Sequence, residues 1–203
     1  LLAPSSAMAK EYTEADLSPV FRSNGTAMPT TPAYQALLAN GFRDYRLQVG
    51  GLVDRPMSFS IDDLKQIEQV AQITRHDCVE GWSAIGKWHG VRLSHVLDKV
   101  GVQAKARYVV FHCYDEMDPG EPYYESVDIP EARHPQTLLA WGLNDKPLPI
   151  KNGAPLRLRV SRQLGYKQAK YIARIELVDS FAHIAGGNGG YWEDYGYEWY
   201  AGI

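Results

Sequence analysis

The sequence predicts a mixed α+β domain, and two observations carry that expectation. Several short runs alternate apolar and polar residues at period two or are rich in β-branched and aromatic residues, among them residues 155–161 (PLRLRVS) and 171–178 (YIARIELV). The helical stretches between such runs are too short and too few for a regular βαβ alternation, and no G-x-G-x-x-G occurs, so a doubly wound nucleotide-binding sheet is excluded.

Residues 1–44 are broken by Pro4, Pro19, Pro29 and Pro32 and are expected to form an irregular arm, with a short helix at 34–40 ended by Gly41. The body of the domain then runs from 45 to 203. It opens with a strand at 45–49 (YRLQV) closed by Gly50-Gly51, after which Ser60 and Asp63, at capping-box spacing, start a short helix. A strand at 70–74 delivers residues 75–83 (RHDCVEGWS) to its end as a loop, the kind of place where sites are built. Ser94 is expected to cap a helix running to Val100, with Gly101 past its end, and residues 107–113 (RYVVFHC) read as a buried strand. A 138–141 segment (LLAW) precedes the two strands named above. Tyr191, Trp192, Tyr195, Tyr197, Trp199 and Tyr200 crowd the last turns of the chain, and a tail so rich in rings should dock on the domain.

The bulk numbers narrow the classes. With 203 residues, 45% of them hydrophobic, the chain can bury one substantial core. A net charge of −3 gives no overall basic field for nucleic acid, and no apolar run approaches the length of a bilayer. Residues 1–7 (LLAPSSA) have neither a basic n-region nor a long apolar core, so any targeting peptide is expected to be already removed or never included. Two cysteines, Cys78 and Cys113, are too few for a disulfide scaffold and leave open one bridge or one ligand plus one bystander.

Three stretches bear chemistry. Cys78 stands beside Arg75 and His76, and nearby positive charge favours the thiolate that binds soft metals. The alternatives are a small buried hydrophobe or half of a bridge to Cys113. Zinc is disfavoured, because no Cys-x-x-Cys or His-x-x-x-His pair accompanies it. The second stretch, residues 151–174, carries Lys151, Arg157, Arg159, Arg162, Lys167, Lys170 and Arg174 with no acid, so either an anion sits against it or it is a solvated strand face. The turns at Asn152-Gly153 and Leu164-Gly165 would let backbone N–H groups approach a phosphate. The third stretch opposes it in sign: Asp115, Glu116, Asp118, Glu121, Glu125, Asp128 and Glu131 run from 114 to 132 without a Lys or Arg. Such a loop either confers solubility or repels anionic substrates from a nearby site.

Residues 75–83, with Trp88-His89-Gly90-Val91-Arg92-Leu93 after them, resemble the cofactor loop of the sulfite oxidase family. The resemblance continues through 134–140 (HPQTLLA), Leu148-Pro149, 152–157 (NGAPLR) and 165–170 (GYKQAK) to 175–178 (IELV), and so spans roughly residues 45–180 in order. It implies the sulfite-oxidase-like molybdopterin-binding fold and a molybdenum held by a pterin dithiolene and by the thiolate of Cys78. It also implies that Asn152, Arg157, Gln168, Ala169 and Lys170 contact the cofactor, with Asn24, Arg75 and Cys113 as further contacts. Tyr123, three residues before Ser126-Val127, resembles a family tyrosine whose hydroxyl points at the substrate.

Two departures refine the resemblance. Phe21-Arg22-Ser23-Asn24-Gly25 resembles a Phe-x-Arg-Asn-His element in which the substrate-binding arginine becomes Ser23 and the histidine Gly25, which disfavours sulfite. The chain also resembles the minimal, monomeric branch of the family without a C-terminal dimerisation domain, which includes periplasmic methionine sulfoxide reductase catalytic subunits. The implied activity is oxygen-atom transfer, reduction of a sulfoxide or N-oxide, with sulfite oxidation and non-enzymatic molybdopterin carriage as the alternatives. No Cys-x-x-Cys-His is present to hold a c-type haem, so electrons are expected from a separate protein, such as a membrane b-type or soluble c-type cytochrome. A periplasmic monomer is implied.

Overall fold

The computed structural model describes residues 7–203; residues 1–6, on which the targeting-peptide expectation falls, lie outside the described residues. In chain order the elements are α1 (Pro32–Ala39), β1 (Leu47–Gly51), β2 (Met57–Phe59), α2 (Ile61–Lys65), β3 (Gln69–Cys78), β4 (Trp82–Arg92), α3 (Leu93–Val100), β5 (Tyr108–Asp118), β6 (Glu121–Asp128), α4 (Ile129–Ala132), β7 (Thr137–Leu143), β8 (Lys146–Pro147), β9 (Arg157–Val160), β10 (Ile172–Val178) and α5 (Tyr191–Asp194). Strands dominate and the helices stay short, as the sequence leads one to expect.

The strands make two sheets. One has the order β2-β1-β10-β5-β6, antiparallel except for the parallel β1–β10 pair. The other runs β3-β4-β7-β8, with β9 also paired to β7. Period two decides what each strand gives to each side. On β7, Leu139 and Trp141 enter the main core while Leu138 and Ala140 join a smaller cluster around Phe21 and Trp88. On β9, Leu158 and Val160 enter the main core, and the intervening Arg157 and Arg159 lie over the ring of Trp88. α3 buries Leu93, Val96, Leu97 and Val100, the i, i+3, i+4, i+7 stripe of a helix packed on one side. α2 starts as its capping box requires: the Ser60 Oγ accepts from the Asp63 N–H at 3.0 Å, and the Ser60 N–H donates to the Asp63 carboxylate at 2.8 Å.

Three local expectations need correction. Residues 75–78 are not a loop: β3 runs through Cys78 and turns at 79–81 into β4, with Cys78 opposite Trp82. The polar residues there misled because they alternate, Arg75 facing outward and His76 and Cys78 inward. The acidic stretch is likewise no open loop but the β5–β6 hairpin running into α4. Finally, Ser94 lies inside α3; Arg92 holds the N-cap position and makes no side-chain cap bond.

The arm lies along the open edge of the second sheet. Glu11 bridges to Thr74 and the Tyr12 N–H donates to the Ile73 carbonyl at 3.0 Å, covering backbone groups that β3 would otherwise expose. The aromatic tail docks as expected: the Trp199 indole N–H donates to the Ser126 Oγ at 2.9 Å, and the Leu164 N–H to the Ala201 carbonyl at 2.9 Å.

Candidate active site

The end of β3, the arm and the turn before β10 converge on a cavity of ≈ 170 Å³. Cys78, Gln168, Lys170, Asp115, Tyr123 and Asn24 are among its walls. The hairpin turn that presents Cys78 depends on Gly81, whose φ of 86° favours a residue without a Cβ. Cys78 is buried and unbridged, as is Cys113, so the disulfide alternative falls away.

The positive charge expected to activate Cys78 is not there. Arg75 is exposed on the opposite face of β3 and its Nε pairs with Asp77 at 2.8 Å, while burial and the neighbouring Arg159 hold His76 well below its usual range, hence neutral. Burial instead pushes the Cys78 thiol up. Such a thiol stays protonated at neutral pH until a metal displaces its proton.

Cations gather in the wall at Lys170 and one layer deeper at Arg157 and Arg159. Arg157 and Arg159 are fully buried and Lys170 nearly so, and none of the three forms a salt bridge among the described residues. Arg157 donates to the Asn152 carbonyl at 2.8 Å, and Arg159 reaches the Gln168 amide oxygen, the His76 Nδ1 at 2.9 Å and the Thr74 hydroxyl at 3.1 Å. The Lys170 ammonium donates to the carbonyls of Thr26 and Lys151, clamping the arm over the cavity. Desolvation lowers Arg157 to about 10 and Lys170 to about 7. Unpaired buried cations are costly, and an anionic ligand seated beside them would offset that cost.

Three other members of the basic run, Arg162, Lys167 and Arg174, pair with carboxylates, partly from the acidic run, while Lys151 is exposed. Arg162 pairs with Glu131 at 2.6 Å, and Lys167 is held between Glu125 and Glu193 with all three side chains buried. Arg174 pairs with Glu176 at 2.8 Å. Neither run is therefore a solvated face throughout. Of the acids between 114 and 132, Asp115 reaches the cavity; Asp128 caps α4 and Glu121 lines a different cavity.

The structure brings Asn24, Cys78, Tyr123, Gln168 and Lys170 to the cavity and sets Asn152 and Arg157 in the layer behind it. Ala169 is buried, its carbonyl accepting from the Leu158 N–H at 2.8 Å. Arg75 and Cys113 are not brought there: Arg75 faces outward, and Cys113 lies in the main core on β5. Tyr123 lines the cavity, yet its hydroxyl donates to the Tyr166 carbonyl at 2.5 Å. Ser23 turns away to the Lys151 carbonyl and Arg22 is exposed, so no arginine of the 21–25 element enters. The sequence places Trp88 and His76 within the resembling segment without their roles, the buried ring under both arginines and a neutral acceptor; no local pattern signals these roles, because strand register places the partners.

Residues 34–183 match the family described as the oxidoreductase molybdopterin binding domain. The chain belongs to this family. It is 44% identical over 158 residues to a putative protein-methionine-sulfoxide reductase subunit, YedZ1, of Azospira oryzae, covering 78% of this chain and 56% of that protein. It is 42% identical over 151 residues to the protein-methionine-sulfoxide reductase catalytic subunit MsrP of Xanthomonas axonopodis, covering 70% of this chain and 47% of that one. The chain thus spans about half the length of the curated relatives it matches. In fold it is similar to the sulfane dehydrogenase SoxCD of Paracoccus pantotrophus, with a TM-score of 0.62 at 22% identity over 68% of this chain and 39% of that one.

This molybdopterin-binding oxidoreductase domain has the groups its cofactor needs. Its buried cations suit a pterin phosphate, and the buried polar atoms His76 Nε2, Arg159 Nε and Asn24 Oδ1 have no partner among the described residues. A Cβ at Gly165 would come within 2.5 Å of His76 Nε2, so the backbone there approaches as closely as a bare turn allows. The free thiol of Cys78 in the cavity wall is a soft donor of the kind a molybdenum centre would take.

Proposed function

We propose that this chain reduces a sulfoxide or N-oxide by oxygen-atom transfer, with Cys78 as the protein ligand to molybdenum. The observation that carries it is the Cys78 thiol in a cavity wall backed by Arg157, Arg159 and Lys170, three buried cations that form no salt bridge among the described residues. Asn24, Asn152, Arg157, Gln168, Ala169 and Lys170 would hold the pterin and its phosphate. The molybdenum cofactor, when bound, supplies two electrons and accepts the oxygen. The chain's own groups orient the substrate: Tyr123, Trp192 and Tyr197 offer ring faces, Met117 a soft apolar contact, and the Lys170 clamp keeps Asn24 and Thr26 in the wall. Reduction consumes two protons per sulfoxide and yields a sulfide and water. With Ser23 turned away, the cavity lining holds Glu80 and Asp115 against Lys170, which suits a neutral substrate better than sulfite.

Electrons would come from a separate redox protein, a membrane b-type or soluble c-type cytochrome, consistent with relatives named as subunits. The periplasm is the compartment this reading assigns, with the chain acting as a monomer. Cys78→Ser tests the assignment, because it is nearly isosteric yet exchanges a soft ligand for a hard one. The variant should fold, bind pterin, and lose more than 99% of sulfoxide reduction with an altered Mo spectrum. Normal turnover with an unchanged spectrum would end the assignment.

A further inference from the structure

Tyr123 also forms part of the wall of a second, larger cavity, ≈ 790 Å³, which oxygen transfer leaves unused. The two cavities diverge at α5, where Trp192 lines the first and its neighbour Tyr191 the second. The Tyr191 ring stacks on Tyr123, centroids 5.8 Å apart, and Tyr195 lies 5.1 Å from Tyr191 at 41°. Glu121, the first residue of β6, closes this aromatic corner: its carboxylate accepts from the Tyr195 hydroxyl at 2.9 Å and the Tyr191 hydroxyl at 3.4 Å. Hydrogen bonding to Glu121, with Asp118 nearby, pushes the Tyr195 phenol up.

The other charges around this cavity are already satisfied. Arg174 and His112 share Glu176, at 2.8 and 2.9 Å. Asp194 accepts from the Tyr124 hydroxyl and from the N–H groups of Gly186 and Asn188. Glu121 and Asp118 form no salt bridge among the described residues, and Tyr195 is 61% exposed, so the corner opens to solvent. Carboxylates beside tyrosine faces favour an ammonium or guanidinium guest, by charge and by attraction to the rings.

We propose that this cavity is a subsite for a basic side chain of a polypeptide substrate, the lysine or arginine next to the sulfoxide that enters the first cavity. This rests on the proposed sulfoxide reduction. Adjacent residues of an extended chain lie about 3.5 Å apart, and their long side chains can straddle the single phenol ring that the two cavities share.

The test uses the cofactor-loaded chain and short peptides with one methionine flanked by lysine or by glutamate. Sulfoxide forms report turnover, and unoxidised forms report binding by calorimetry. The lysine-flanked peptide should bind about tenfold more tightly than the glutamate-flanked one and show a similar advantage in kcat/KM. Both advantages should collapse in Glu121→Gln and in Tyr195→Ala, an exposed position whose loss spares the fold, while kcat/KM for dimethyl sulfoxide stays unchanged. Equal affinities in the wild type, or a ratio that survives in both variants, would overturn the subsite. If no sulfoxide is turned over, the proposed activity fails instead, and the binding difference still decides the subsite without chemistry.

Discussion

Asp115 and Lys170 share one cavity wall, and burial drives each toward its neutral form. Lys170 falls to about 7, and Asp115 rises to about 6 through burial, with Lys170 opposing the rise. Folded Asp115 therefore holds its proton more tightly than the unfolded chain does. Its contribution to stability is complete below the ordinary value of 3.8 and is lost as pH rises through about 6. Asp115→Asn removes the charge while keeping the shape, so urea unfolding of the cofactor-free chain should show a gain of about 2–3 kcal/mol at pH 8 and little change at pH 4. Arg157 makes the complementary case. Its guanidinium is fully buried and donates to three backbone carbonyls, those of Asn152, Leu158 and Gln168. In the cofactor-free chain its desolvation roughly offsets those bonds, so Arg157→Met should change stability by no more than about 1 kcal/mol. Pterin and Mo per purified chain should nevertheless fall at least tenfold, and unchanged Mo content would remove Arg157 from the cofactor contacts.

Among the elements, the join between β6, the turn at Gly165–Lys167 and α5 depends on one lysine. Lys167 lies between Glu125 of β6 and Glu193 of α5, and its ammonium also faces the Trp199 ring at 5.5 Å. Burial raises Glu125 well above the usual carboxylate range, with Lys167 opposing that rise. Lys167→Met leaves two buried carboxyls without a cation and should cost about 3–5 kcal/mol at pH 7. The loss should shrink at pH 5, because Glu125, raised by burial, is then neutral, and adding Glu125→Gln and Glu193→Gln should recover most of it. Urea unfolding of the single and triple variants checks this. The triad was not legible in the sequence, since Glu125 stood in what looked like an acidic loop and Glu193 in what looked like a stretch of rings. By contrast β9 and β10 were legible, because alternation there matches a strand with one face in the core. β4 was not, because the Gly-Trp-Ser turn signal at 81–83 begins a strand as well as ending one.

For the whole molecule, substrate charge is the measurable consequence. The first cavity carries Glu80 and Asp115 against Lys170, and the acids Glu116 and Asp118 at the end of β5 are exposed. A neutral sulfoxide should be turned over with a kcat/KM at least tenfold above that of sulfite. Raising the salt from low to about 0.5 M should improve the weak sulfite reaction a few-fold and leave the neutral substrate nearly unaffected, since exposed charges are screened over a few ångströms at that ionic strength. Efficient sulfite oxidation that weakens as salt is added would mean that the pocket is cationic.

The sequence by itself determined the α+β class, several of the main strands, and the motif around Cys78 that places the chain in its family, together with Ser23 where that resemblance expects an arginine. These are local properties: alternation, capping spacing and a contiguous motif all lie within a few residues along the chain. Only the tertiary structure decided that Arg75 faces away, that Cys113 belongs to the core, and that the basic and acidic runs partly neutralise each other. Which charge meets which depends on strand register and on pairs separated by dozens of residues, as with Arg162 and Glu131, 31 apart. A charge's worth depends on the water it loses when those partners close over it, and composition does not record burial.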